Sequence, residues 1–299
     1  MTPGVSVIIP TYNRRAMLLE AIDSVLAQST RAFELIVIDD GSNDGTAEHL
    51  KSLGDNMRTA RLEHCGPAAA RNRGVAMANA PLIAFLDSDD LWAPTKLERQ
   101  LDFMRANPDC AILQTSEIWI RDGRRVNPGI RHRKRAGDIF VDSLRTCLIS
   151  MSATMMRADL FRSFGGFDEV MTAAEDYDLW VRILIDHEAG LLDEPLVTRR
   201  GGHPDQTSAA TTAIDRFRIL ALTKLLADNR LSPARRTTVV EVLAEKCRIY
   251  AGGLARRGRI DRARLYNGIA DQAQNWRAAE IGCAIESMRS LLHEVPHEC

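Results

Sequence analysis

The chain has 299 residues, 45% of them hydrophobic and 26% charged, an ordinary globular composition with room for one large core or two domains. With 39 basic and 40 acidic residues the formal net charge is -1, so no global field argues for nucleic acid or an anionic membrane as partner. Six cysteines without a C-x-x-C pair argue against a disulfide framework or a zinc site and for buried free thiols in a reducing compartment.

The opening "MTPGVSVIIPTYNRR" lacks a basic segment followed by a long apolar one, so it does not read as a signal peptide. No apolar run approaches the roughly 20 residues that span a bilayer. The expectation is a soluble, cytoplasmic protein, with peripheral membrane contact left open.

The first hundred residues alternate strand and helix signals. "VSVIIP" (5–10) is a short apolar, β-branched run closed by Pro10. Leu18, Ala21, Ile22, Val25 and Leu26 then recur at helical spacing. "FELIVIDD" (33–40) is a second strand ending in two acids, and "GSNDGT" is turn chemistry before a helix carrying Ala47, Leu50 and Leu53. "ARLEHC" (60–65) reads as a short third strand. Gly66 and Pro67 open an alanine-rich helix through Asn79, with Pro67 suited to its first turn. "PLIAFLD" (81–87) is the next strand, and Pro94 starts a helix with Leu97, Leu101 and Met104 that stops at Asn107-Pro108.

Near-continuously apolar strands alternating with helices predict a mostly parallel sheet covered on both faces. Ligands of such sheets bind beyond the carboxyl ends of the strands. Asp39 and Asp40 fall at one such end, and Asp87, Asp89 and Asp90 at another.

Further on, "AILQTSEIWI" (111–120) reads as a strand and the basic stretch 121–138 as a loop. "GGFDEVMTAAEDYDLWVRILIDH" (165–187) is a turn followed by a helix with Tyr177, Trp180, Val181 and Leu184 on one face. From about 213 the pattern is helical to the end.

Three carboxylates in four positions repel one another unless a cation sits among them. Mg2+ or Mn2+ takes oxygen ligands, commonly one or two carboxylates plus substrate phosphates. Capping of the next helix by Ser88 and the acids is the bland alternative. A second acidic strand end in the same sheet tips the reading toward a metal. No G-x-G-x-x-G follows either early strand, and Asp39 and Asp40 lack the second Asp two residues on that a haloacid-dehalogenase phosphatase needs.

Five segments in order, "VSVIIPTYNR", "LIVIDDGSNDGT", "GPAAARNRGVAMA", "FLDSDDLW" and "GGFDE…AEDYDLWVRI", resemble family 2 glycosyltransferases over about residues 4 to 208. The resemblance implies a GT-A fold, Rossmann-like, and an inverting, metal-dependent hexosyltransferase-like enzyme. It implies that Pro10 and Tyr12 border a base pocket and that Asp40 accepts from a uracil or thymine imide, with Asp39 supporting the strand end. Arg71 would contact the nucleotide, Asp87 with Ser88 the ribose and donor sugar, and Asp89 and Asp90 a Mn2+ or Mg2+ ion bridging the diphosphate. Asp176 matches the family's catalytic base, which takes the acceptor hydroxyl's proton. His203 would be a further metal ligand or contact the diphosphate. Trp180, one turn after Asp176, reads as core rather than a sugar platform.

The expected organisation is a nucleotide-sugar-binding part (1–105), an acceptor-binding part (106–212) and a helical C-terminal extension (213–299). The expected donor is a UDP- or dTDP-sugar. The expected acceptor is a hydroxyl of a glycan or lipid-linked molecule, in cell-surface polysaccharide or glycoconjugate synthesis, with no nucleic acid partner. The basic loop 121–135 is a candidate for a phosphate-bearing acceptor, and the C-terminal helices for homo-oligomer contacts. Competing readings are a sugar-phosphate nucleotidyltransferase, disfavoured because "PTYNRR" has no glycine, and a non-catalytic nucleotide-sugar-binding module.

Overall fold

The computed structural model describes residues 3–54, 57–202 and 214–293. The first strand, β1 (Val5–Thr11), is buried at every position, as a central strand covered on both faces must be. Successive side chains of a strand point to opposite faces. Val5, Val7 and Ile9 accordingly join a core with Leu18, Ile22 and Val25 of α1 (Arg15–Leu26) and with α4 (Lys96–Ala106). Ile8 faces the other way, into the larger core that contains α3 (Pro67–Met77). Gly74 lets α3 lie this close: a Cβ there would meet Ile8 Cγ2 at 2.4 Å.

β1 pairs in parallel with β2 (Phe33–Asp39) and β4 (Leu82–Phe85), and β2 with β3 (Arg58–Arg61). Between β2 and β3 runs α2 (Thr46–Ser52). This parallel part matches expectation, except that β3 lies two residues earlier than "ARLEHC" suggested. Beyond β4 the sheet is mixed. Its order is β3-β2-β1-β4-β8-β6-β9-β5 with β7 on β6, where β5 is Leu91–Trp92, β6 Ile112–Arg121, β7 Arg124–Val126, β8 Thr154–Arg157 and β9 Ala189–Gly201. β8 is antiparallel to both β4 and β6, whereas β9 is parallel to β6. The stretch 121–138 is therefore not all loop: its start forms a hairpin with β6.

The larger core also takes α5 (Phe140–Arg145), α6 (Ala158–Ser163), α7 (Glu175–Ile183) and the helices that end the chain. These are α8 (Asp215–Leu226), α9 (Pro233–Arg256), α10 (Ile260–Gln272) and α11 (Ala278–His293). Ser232 caps α9 by accepting from Arg235 N–H, with Pro233 in the first turn. Phe217, Leu220, Leu243, Tyr266 and Met288 share one core with Tyr177 and Trp180, so the C-terminal helices are built into the fold. Trp180 is 1% exposed and belongs to that core. Among the described residues no helix is long and apolar enough to cross a membrane, and the described cysteines are free thiols.

Candidate active site

The carboxyl ends of β1, β2 and β4 lie side by side because the three strands are parallel neighbours. At the end of β2, Asp39 Oδ1 accepts from Ser42 N–H at 2.9 Å and Oδ2 lies 3.6 Å from Arg61. Asp40 accepts from the backbone N–H groups of Cys65 at 2.7 Å and Gly66 at 2.9 Å, and its Oδ2 lies 3.1 Å from His64 Nδ1. Three of roughly four lone-pair positions are thus filled within the protein. Gly41 has φ +84°, and a Cβ there would meet His64 N at 2.9 Å, so glycine is required. After Pro10, the ring of Tyr12 is stacked on His64 with centroids 3.9 Å apart and planes at 21°.

Asp87, Ser88, Asp89 and Asp90 form a turn closed by Asp90 N–H to Asp87 O at 2.9 Å. Ser88 is buried within it. One oxygen from each of the three aspartates lies within 4.8 Å of the others. Arg14 donates to Asp89 at 2.9 Å, and Ser152 donates to Asp90 at 2.6 Å. Asp90 also accepts from the backbone N–H of Arg200 on β9, at 2.9 Å. Burial, then the carboxylates of Asp89 and Asp87, push Asp90 well above the ordinary aspartate range. Crowded hard oxygen donors whose charge the protein only partly neutralises fit Mg2+ or Mn2+.

Arg71, on α3, is buried and reaches two acids from different parts of the chain. Nη2 donates to Asp87 at 2.7 Å and Nη1 to Glu175 at 2.5 Å. Burial alone would depress its pKa, but Asp87 and Glu175 more than offset that and raise it. Glu175 is pushed up by burial and held back by Arg71.

Glu175 and Asp176 begin α7, where the helix dipole favours negative charge. The preceding Ala174 has φ 56°, a left-handed conformation costly for a residue with a side chain. Asp176 Oδ1 accepts from Tyr177 N–H at 2.7 Å, while Oδ2 lies 3.6 Å from the Cys147 thiol, whose single proton also has Ile149 O within 3.3 Å. Burial and then Asp176 raise the Cys147 thiol well above its ordinary value. Facing this group, Arg199 of β9 lies over the ring of Trp119 of β6, 4.9 Å from its centroid. Burial opposes its charge, while Glu117, Asp90, Asp87 and Asp176 raise its pKa.

The structure thus brings Arg71, Asp87, Ser88, Asp89 and Asp90 into one cluster and ties the element bearing Asp176 to it. Pro10, Tyr12, Asp39 and Asp40 lie together at the adjacent carboxyl ends of β1 and β2. His203 lies outside the described residues. The sequence reading passed over Arg14, His64, Cys147, Ser152, Glu175 and Arg199. Glu175 stood beside Asp176 in plain view, but its partner is 104 residues away.

A sheet that is parallel through β1, β2, β3 and β4, mixed beyond, and rimmed by acids at its carboxyl edge is the architecture of GT-A-type glycosyltransferases. The model of Glycosyl transferase family 2 matches residues 6–165, and the chain belongs to that family. An uncharacterized glycosyltransferase of Rickettsia felis is 39% identical over 195 residues, 64% of this chain and 32% of that protein. The chain spans between 26% and 32% of the length of three such rickettsial relatives. A putative teichuronic acid biosynthesis glycosyltransferase of Bacillus subtilis, TuaG, is 35% identical over 159 residues, 52% of this chain and 62% of its own. Among solved structures, S. aureus TarS 1-349 in complex with UDP-GlcNAc is similar in fold, with TM-score 0.63, 19% identity and 93% of each chain covered. So is the mannosyltransferase PcManGT from Pyrobaculum calidifontis in complex with GDP-Man and Mn2+, with TM-score 0.60, 17% identity, and 99% of this chain and 82% of that one covered.

Proposed function

We propose that the protein moves a sugar, with inversion, from a UDP- or dTDP-sugar to a hydroxyl of a glycan or lipid-linked acceptor. The setting would be cell-surface polysaccharide or glycoconjugate synthesis on the cytoplasmic side of a membrane. The observation that carries this is the Arg71 bridge, which joins the carboxylate turn to the residue next to Asp176. Residues 1–105 would then serve the donor, 106–212 the acceptor, and 213–299 would support both.

In this reading Tyr12 offers a stacking face to the base, and the remaining lone pair of Asp40 accepts from the imide N–H. Asp87 and Ser88 face the ribose and sugar, with Arg71 fixing Asp87 in place. Asp89, with Asp87 and Asp90, would hold a Mn2+ or Mg2+ ion, whose positive charge would oppose that of the diphosphate. Asp176 takes the acceptor hydroxyl's proton as that oxygen bonds to the anomeric carbon. The bond from that carbon to the diphosphate oxygen breaks, and its electron pair leaves with the nucleoside diphosphate.

A thermal-shift screen of UDP, dTDP and GDP and their sugars, with and without Mn2+, identifies the donor, because a ligand of the native state raises apparent stability. In a sugar-release assay Asp176→Asn and Asp89→Ala should each lower turnover at least about a hundred-fold. Asp176→Asn should keep its nucleotide affinity. Normal turnover in either folded variant removes that residue from the mechanism.

A further inference from the structure

The chain as a whole is nearly neutral, but the β6–β7 hairpin and the segment after it are not. Arg121, Arg124, Arg125 and Arg133 are exposed and have no acidic partner among the described residues. At the centre of this segment Ile130 is 85% exposed, the most exposed large hydrophobic side chain among the described residues. The bare isoleucine is unfavourable in water, whereas the four arginines around it are hydrated and free to meet an anionic surface. The arrangement is complementary to an anionic bilayer, whose headgroups attract arginine and whose interface takes apolar side chains.

The surface continues beyond the hairpin. Arg135 pairs with Asp142 of α5 at 2.6 Å, and Arg145 of α5 pairs with Glu245 of α9 at 3.2 Å. Val141, one turn before Arg145, is 47% exposed, and Ile249, one turn after Glu245, is 60% exposed. Asp138 is likewise taken up, by Arg235 at 2.6 Å. These three acids are therefore matched, and on the hairpin and the segment after it Asp122 faces an excess of exposed arginines. On its inner side the same segment is anchored to the acceptor half. His132 lies 5.3 Å from the ring of Trp119, and Lys134 Nζ donates to Leu148 O at 2.9 Å and Ser150 at 2.7 Å.

We propose that the hairpin and following segment, residues 121–135, dock the protein on an anionic lipid bilayer, with Ile130 entering the interface and the arginines resting on headgroup phosphates. Trp119 also carries Arg199, so the docked segment adjoins the cleft and would hold its mouth at the membrane surface. The proposal stands on this surface alone and does not depend on the identity of the donor.

Cosedimentation with vesicles of phosphatidylcholine, and of an equal mixture with phosphatidylglycerol, tests it. The full chain should sediment with the mixed vesicles only, and less as salt rises from about 0.1 to about 0.5 M. Arg124→Glu combined with Arg125→Glu should weaken binding at least about ten-fold. Fluorescence of Ile130→Trp should shift to the blue only with the mixed vesicles. Melting temperature and the far-ultraviolet circular dichroism spectrum, read in parallel, establish that each variant is folded. Equal binding to both vesicle types, no binding of the wild type, or undiminished binding of the folded double variant overturns the proposal. Retention of soluble polyphosphate without vesicle binding overturns it as well, and makes the face a site for a dissolved polyanion.

Discussion

Arg71 holds Glu175 at 2.5 Å across 104 residues of chain, and its other nitrogen holds Asp87 at 2.7 Å. One guanidinium thus fixes the spacing between the carboxylate turn and the helix that starts with Glu175 and Asp176. A planar, rigid fork is suited to this, and a lysine's single ammonium is not.

Arg71→Met should therefore cost more than a contact. It leaves Glu175 buried without its cation, a change worth about 3–5 kcal/mol in comparable cases. Urea denaturation should show that loss. Adding Glu175→Gln should recover much of the stability, while sugar transfer stays abolished in both variants.

The Cys147 thiol lies 3.6 Å from Asp176 Oδ2, and burial and that carboxylate raise its pKa well above the ordinary value. The thiolate is the reactive form of cysteine, so in the folded protein Cys147 should resist alkylation by iodoacetamide at neutral pH. Peptide mapping after timed labelling, with and without urea, checks this. Labelling of Cys147 in the folded chain as fast as in urea would contradict it.

Lys224 of α8 donates to Asp168 at 2.8 Å and to Asp178 at 2.7 Å, and Asp178 has no exposed side-chain area. Arg182 also pairs with Asp178, at 2.9 Å. Lys224→Met leaves that second cation in place, so the expected loss is about 2–3 kcal/mol, below that of an isolated buried pair. Removing residues 214–299 should yield a chain without a cooperative melting transition, because the larger core loses one side.

Lys96 is fully buried, with Nζ 3.8 Å from the centroid of the Trp92 ring and 2.7 Å from Gln100 Oε1. Burial depresses its pKa well below the ordinary 10.5. Between the folded value and 10.5 the unfolded chain binds more protons, so stability should rise with pH across that window. Lys96→Met should remove this part of the slope, as urea denaturation at neutral and at alkaline pH would show. A wild type and variant with equal slopes would contradict it.

The early strands were readable because β1 and β2 are apolar enough to be recognised without partners. The site was half readable for a related reason: acids at a strand end announce themselves locally. β9 was missed because "AGLLDEPLVTRRG" contains Pro195 and two acids, and it becomes a strand only by lying along β6. β5 is two residues long and exists through its pairing with β9. Ser152, Arg200 and Glu175 took their roles from groups 62, 110 and 104 residues away, which no local pattern carries.

The bond from Arg200 N–H to Asp90 also bears on how the chain is made. A nascent polypeptide that has left the ribosome only as far as α4 has β1, β2 and β4 but no strand to pair with β5, and no Arg200 N–H to hold the Asp90 carboxylate. The acidic turn gains its last partners after about another hundred residues have emerged, so the carboxylate cluster is completed late in synthesis. Until then its crowded carboxylates lie open to water, which screens their repulsion.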